Sequence, residues 1–111
     1  MAKLPNYLRA HRKRLGLSQQ EVAFLLGTRC SARPNRHELS ARIPNLTTAV
    51  AYEVIFETPV RELFAGLFQK IQKDVIARAN VLKHKICRGK TKAQATRKRQ
   101  SIINIANRHT N

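Results

Sequence analysis

The chain has 111 residues, with 22 lysines and arginines against 6 acids, for a formal net charge of +16. That length suits about one domain; a 42% hydrophobic content is too high for a disordered basic tail, and no window approaches the roughly 18 consecutive apolar residues of a membrane span. The excess of positive charge points to a polyanionic partner, nucleic acid first.

The first predicted helix runs from about Asn6 to Leu15, burying Leu8 and Leu15, and Gly16 supplies a left-handed stop. Ser18 and Glu21 form a capping box that opens a second helix, with Val22, Ala23, Leu25 and Leu26 in its apolar stripe and Gly27 at its end. A third, short helix is expected from Ser31, which can cap it, through Leu39. Pro34 at its third position has an N–H that would be unpaired anyway. Cys30, Pro34, His37 and Ala41 then share its inner face, and Arg33, Asn35, Arg36 and Ser40 lie elsewhere on the surface. Such a weakly apolar helix depends on docking rather than propensity.

Asn45 caps a fourth helix, about Leu46 to Phe56, whose expected inner stripe is Leu46, Val50, Val54 and Ile55 with Ala49 as a small contact. Thr58 and Pro59 read as a capping hydroxyl followed by proline at the first helical position. From there a fifth helix is expected to continue to about Cys87, burying Val60, Phe64, Leu67, Ile71, Val75, Ala79, Leu82 and Ile86 in one stripe. Gly89 ends it, and a second capping box, Thr91 with Gln94, opens a basic sixth helix showing Ile102, Ile105 and Ala106. No strand pattern persists anywhere.

Charge is distributed unevenly along these elements. Residues 1–17 carry Lys3, Arg9, Arg12, Lys13 and Arg14 and no acid, for +5, and residues 18–44 are at +2. Residues 45–69 are at −2, whereas residues 70–111 set twelve lysines and arginines against Asp74 alone, for +11. The middle therefore reads as ordinary globular surface, and the two ends carry the field.

Two short consecutive helices flanked by packing helices suggest a helix-turn-helix reader of DNA. The small residues Ala23 and Gly27 allow close approach of the second and third helices. Val22, Leu26, Pro34 and His37 set the angle between them, leaving the other face of the third helix free for a major groove about 12 Å wide. The run LRAHRKRLGLSQQEVAFLLG, then Glu38, RIPNL and PVRELF, resembles the Cro/lambda-repressor (Xre) type of helix-turn-helix over about residues 6–66. The chain departs from that pattern in an extra residue within the Thr28–Ser31 turn, in Pro34 and His37 at core positions, and in Ser40 where the family often has glycine. The shorter register would bury Arg33, which costs more than burying Pro34.

The resemblance implies an all-α, compact five-helix lambda-repressor-like domain over residues 1–66. Residues 67–111 would be a helical, strongly basic extension continuing from the long fifth helix. It implies base contacts from Ser31, Ala32, Arg33, Asn35 and Arg36, with Arg36 able to grip guanine through two bonds. It also implies phosphate contacts from Gln19, Arg9, Arg12 and Arg42. The plainer alternative for Arg36 is a surface ion pair with Glu38. The implied partner is double-stranded DNA, read by a cytoplasmic transcriptional regulator, and the fifth-helix stripe leaves room for a homodimer contact.

Other classes carry less. The absence of an apolar segment in MAKLPNYLRAHRKRLG argues against a secretory signal, and Cys30 and Cys87 are too few for a disulfide framework. His84 and Cys87 form only half a zinc site, so no metal or other cofactor is expected. No acid dyad, nucleophile array or glycine-rich phosphate loop indicates an enzyme or a small-molecule substrate. The competing functions are a general RNA- or DNA-coating protein and an antitoxin-like regulator that binds a protein partner through the fifth helix.

Overall fold

The structure, a computed structural model, describes residues 5–86 and 93–108, with side chains from 96 onward in the second stretch. Its described residues are all-helical: α1 (Leu8–Arg14), α2 (Gln19–Leu25), α3 (Ala32–Glu38), α4 (Leu46–Phe56), α5 (Val60–Leu63), α6 (Ala65–Ile86) and α7 (Ala93–Ala106). None of these helices is long and apolar enough to cross a membrane. The chain divides into two compact units, Met1–Phe68 and Gln69–Asn111.

In the first unit the short helices end where their sequences demand. Gly16 and Gly27 take φ of 74° and 84°. The next residue's N–H then reaches back to a carbonyl one turn earlier, Leu17 to Arg12 at 3.1 Å and Thr28 to Ala23 at 2.9 Å, the Schellman arrangement. Ser40 ends α3 in the same way at φ 57°, with Ala41 N–H on the Arg36 carbonyl at 2.9 Å. The serine thus does without a glycine's freedom, and its hydroxyl accepts from Asn6 Nδ2 at 3.0 Å. Asn6 also donates to the His37 carbonyl at 2.8 Å and accepts from Leu8 N–H at 3.1 Å, so one side chain closes α3 and opens α1. Ser18 and Glu21 make both bonds of their capping box, and Asn45 accepts from Thr48 N–H at 2.9 Å.

The core consists of Leu8, Val22, Tyr52, Phe56, Leu63 and Phe64, ringed by Leu17, Leu26, Ile55, Val60 and Leu67. Leu15 lies outside it and is exposed, because the chain reverses at Gly16 and delivers Leu17 to the core instead; Leu25, Cys30 and Ala41 are exposed as well. On α4 the expected stripe holds only at Ala49 and Ile55. Leu46, Val50 and Val54 are exposed, and Ala49, Tyr52 and Phe56 face inward. Both sets have helical spacing, but the aromatic set removes more apolar area per residue from water. Its rings also find partners: Tyr52 stacks on Phe56 at 6.0 Å and meets Phe64 edge-on at 6.3 Å.

The expected fifth helix is two helices, so the described residues hold seven helices where six were expected. At Phe64 the backbone leaves helical geometry (φ −119°, ψ 50°), and Leu63 and Phe64, adjacent in sequence, both enter the core. A straight helix would have turned one of them about 100° away. Thr58 does not cap this segment: its hydroxyl donates to the Phe56 carbonyl, and the Glu53 carboxylate accepts from Val60 N–H at 2.9 Å. Pro59 is the N-cap rather than the first helical residue. Gly66 lets the chain entry pass close by, since a Cβ there would stand 3.0 Å from both Cδ and the carbonyl oxygen of Pro5.

The second unit holds most of α6 and all of α7. Among its described residues Ala79 and Ala106 are buried, and Ile76, Ile86, Ile102, Ile103 and Ile105 are half-buried. Ile71, Val75 and Leu82, expected inside, are exposed. The Gly89 stop and the box begun by Thr91 lie outside the described residues.

Candidate nucleic-acid interface

Two side chains buried from α3 decide how it sits. Pro34 and His37 point inward, and His37 Nδ1 shares a 2.8 Å hydrogen bond with the Tyr52 hydroxyl of α4. Burial, then the positive charges of Arg33 and Arg42, pushes the His37 imidazole below its ordinary pKa, so the ring is neutral at pH 7. Burial likewise lifts the Tyr52 phenol far above its usual range, and the charge of Glu38 adds to this. Ser31 stands at the N-cap position in helical geometry and makes no side-chain cap bond, so the expected cap is absent.

A polar network fastens α3 to the two preceding helices. Arg12 of α1 donates through Nε to Glu38 Oε2 at 2.6 Å and through Nη2 to Oε1 at 3.2 Å. Its third nitrogen, Nη1, holds the Leu17 carbonyl at 2.9 Å. The Gln19 amide of α2 donates to Asn35 Oδ1 at 3.0 Å and to Glu38 Oε1 at 3.2 Å. The Arg12 and Glu38 side chains retain only 13% and 5% of their accessible surface, which marks a withdrawn pair rather than a surface one. The guanidinium is correspondingly held above its ordinary pKa, chiefly by the hydrogen bond to Glu38.

This network revises the expected contacts. Arg12, expected to clamp a phosphate, is half-buried and already donates one hydrogen bond from each of its three nitrogens to Glu38 and Leu17. Gln19, expected to hold a phosphate, has its amide donors on Asn35 and Glu38. Arg36 is not Glu38's partner. Of the expected base-reading residues, Arg33 and Arg36 are exposed, and Ser31, Ala32 and Asn35 are half-buried. Arg9 and Arg42 are exposed, as is Arg29 in the α2–α3 connection. Arg29 was not singled out by the sequence pattern; its place in a turn directly before the basic helix was the available signal.

The arrangement is a short helix with a neutralised inner side and an uncompensated cationic outer side. The carboxylate on α3, that of Glu38, is already paired, so the charges of Arg29, Arg33, Arg36 and Arg42 face solvent unopposed by it. No group of three or more metal-binding side chains occurs among the described residues. Comparison of the chain with protein families, with characterised proteins and with solved structures gives no match in any of the three.

Proposed function

We propose that the first unit binds double-stranded DNA as a helix-turn-helix of the Cro/lambda-repressor type, with α3 in the major groove, and that the protein regulates transcription, most simply as a repressor. The observation that carries this reading is the two-sidedness of α3: Arg12, Gln19 and Tyr52 secure its inner side, and Arg33 and Arg36 stand exposed on it. A guanidinium so presented suits the O6 and N7 acceptors of guanine. Arg29, Arg42 and Arg9 are the candidate phosphate contacts, acting on the backbone without reading sequence.

Selection from a randomised duplex library tests the proposal. The expected result is a defined site whose complex survives excess random duplex at moderate salt. Arg36→Ala should cost about 1–3 kcal/mol and relax preference at one base pair, whereas Arg42→Ala should weaken all sequences alike and lower the salt slope by about 0.9. Equal affinity for every duplex would refute sequence reading. It would favour the second reading, a general nucleic-acid-coating protein, which draws on the twelve cationic side chains against one acid in residues 70–111.

A further inference from the structure

Helix α7, 14 residues long, is two-sided. Ile102, Ile103 and Ile105 are half-buried and Ala106 is buried, whereas Arg97, Gln100, Ser101 and Asn104 are exposed. Arg97, Ser101 and Asn104 follow one another in steps of four and three residues. A further step of four reaches Arg108, exposed just past the helix end, where its N–H still bonds the Ile105 carbonyl at 3.2 Å. Such steps put the four residues on one line of the helix. Two arginines thus stand about 16 Å apart along the axis, with uncharged hydrogen-bonding side chains between them. Gln100, beside the line, donates from Nε2 to Asn104 Oδ1 at 2.9 Å. No acid follows Asp74 in the sequence, so no carboxylate in residues 75–111 offsets these charges.

We propose that this face of α7 binds double-stranded DNA as a contact separate from α3, with Arg97 and Arg108 on phosphates and Gln100, Ser101 and Asn104 toward the groove between them. The sign of the charge calls for a polyanion, and three features choose which. A helix lying on a lipid surface buries its apolar side in the lipid, but α7 offers solvent its polar side and withdraws its isoleucines. Single strands are held by stacking on aromatic side chains, and residues 69–111 contain no Phe, Tyr or Trp. Among duplexes, B-form DNA has a major groove about 12 Å wide that admits a helix, whereas the deep groove of A-form RNA is too narrow.

The spacing of the arginines fits that groove. Set somewhat wider apart than the groove is wide, they reach phosphates on its two walls, where contacts position a helix without reading sequence. The amides of Gln100 and Asn104 both donate and accept, as the base edges and sugars between those walls require. Their mutual bond is exposed, so exchanging it for a bond to DNA strands no buried group.

Fluorescence anisotropy of the full chain on a DNA duplex of about 20 base pairs of random sequence, titrated over about 50–200 mM salt, tests this. An Arg33→Ala, Arg36→Ala background removes the candidate reading residues of α3 throughout. In that background, adding Arg97→Ala with Arg108→Ala should lower the log–log salt slope by about 1.8 and weaken binding about tenfold or more. Far-UV circular dichroism should be unchanged, because both side chains are already solvated. Lys98→Ala removes an equally exposed charge about 100° round the helix from Arg97, and it should leave the slope as it was. An unchanged slope in the Arg97, Arg108 variant would overturn the proposal. So would an equal loss per charge from Lys98→Ala, which would make the attraction diffuse rather than that of one face. Tighter binding of an RNA duplex or a DNA single strand of the same sequence would overturn the choice of double-stranded DNA. Failure on any of these counts leaves sequence reading by α3 to its own selection experiment, and success does not depend on α3.

Discussion

Replacing Tyr52 with phenylalanine isolates the hydrogen bond that seats α3 on α4. Tyr52 is 1% exposed and His37 is 3% exposed, so water cannot substitute for the missing hydroxyl. The phenylalanine ring preserves the contacts with Phe56 and Phe64, and the change therefore removes one 2.8 Å bond and leaves His37 Nδ1 without its partner. A net hydrogen bond contributes about 1 kcal/mol and an orphaned buried polar atom costs about 1–3 kcal/mol. The expected loss is about 2–3 kcal/mol. With an m-value of about 1–1.5 kcal/mol/M in urea for a unit of this size, the midpoint at pH 7.5 should fall by about 2 M with m unchanged. A midpoint shift below about 0.5 M would show that this bond does not hold α3 in place.

Three further outcomes follow from the same geometry. His37 is held below the ordinary value of 6.5, so the folded chain binds fewer protons than the unfolded one as pH falls through that value. The stability contributed by the neutral ring should be complete above about pH 6.5 and decline below it, and urea titrations of wild type and His37→Phe at pH 7.5 and 5.5 should show the decline only where the histidine is present. Arg12→Met should strand the withdrawn Glu38 carboxylate and cost about 2–4 kcal/mol, whereas Arg12→Met with Glu38→Leu should recover much of that loss; thermal denaturation of the four-member cycle reads the difference. Glu57, exposed and left-handed at φ 49°, should be replaceable by glycine with a gain of up to about 1 kcal/mol, because the strain of the L side chain exceeds the entropy that glycine adds to the unfolded chain.

Several elements were legible in the residues themselves because their physics is local. The Ser18–Glu21 box, the Asn45 cap, and the Gly16 and Gly27 stops each need only neighbouring backbone groups, and all four form as expected. The inward placement of Val22, Pro34 and His37 was also readable, from helical spacing alone. Competition between faces was not. On α4, Leu46, Val50 and Val54 match a core stripe as well as Ala49, Tyr52 and Phe56 do, and only a neighbour able to receive the Tyr52 hydroxyl distinguishes the two. For the candidate interface, the exposed arginines of α3 were foreseen, but the engagement of Arg12 and Gln19 was not, because their partners lie 26 and 16–19 residues away.

The amino-acid order alone determined the helical character of the chain, most of its helix boundaries and the concentration of cationic charge toward its ends, since hydrophobic period, caps and net charge act within a few residues. Tertiary packing decided which polar groups remain open to a partner. A guanidinium on α1 and a carboxylate on α3 meet only after the chain has turned twice, and their pairing withdraws Arg12 and Gln19 while leaving Arg33 and Arg36 exposed. Packing also broke the expected fifth helix at Phe64, because burying two adjacent large side chains in one core outweighs the backbone regularity lost at a single residue.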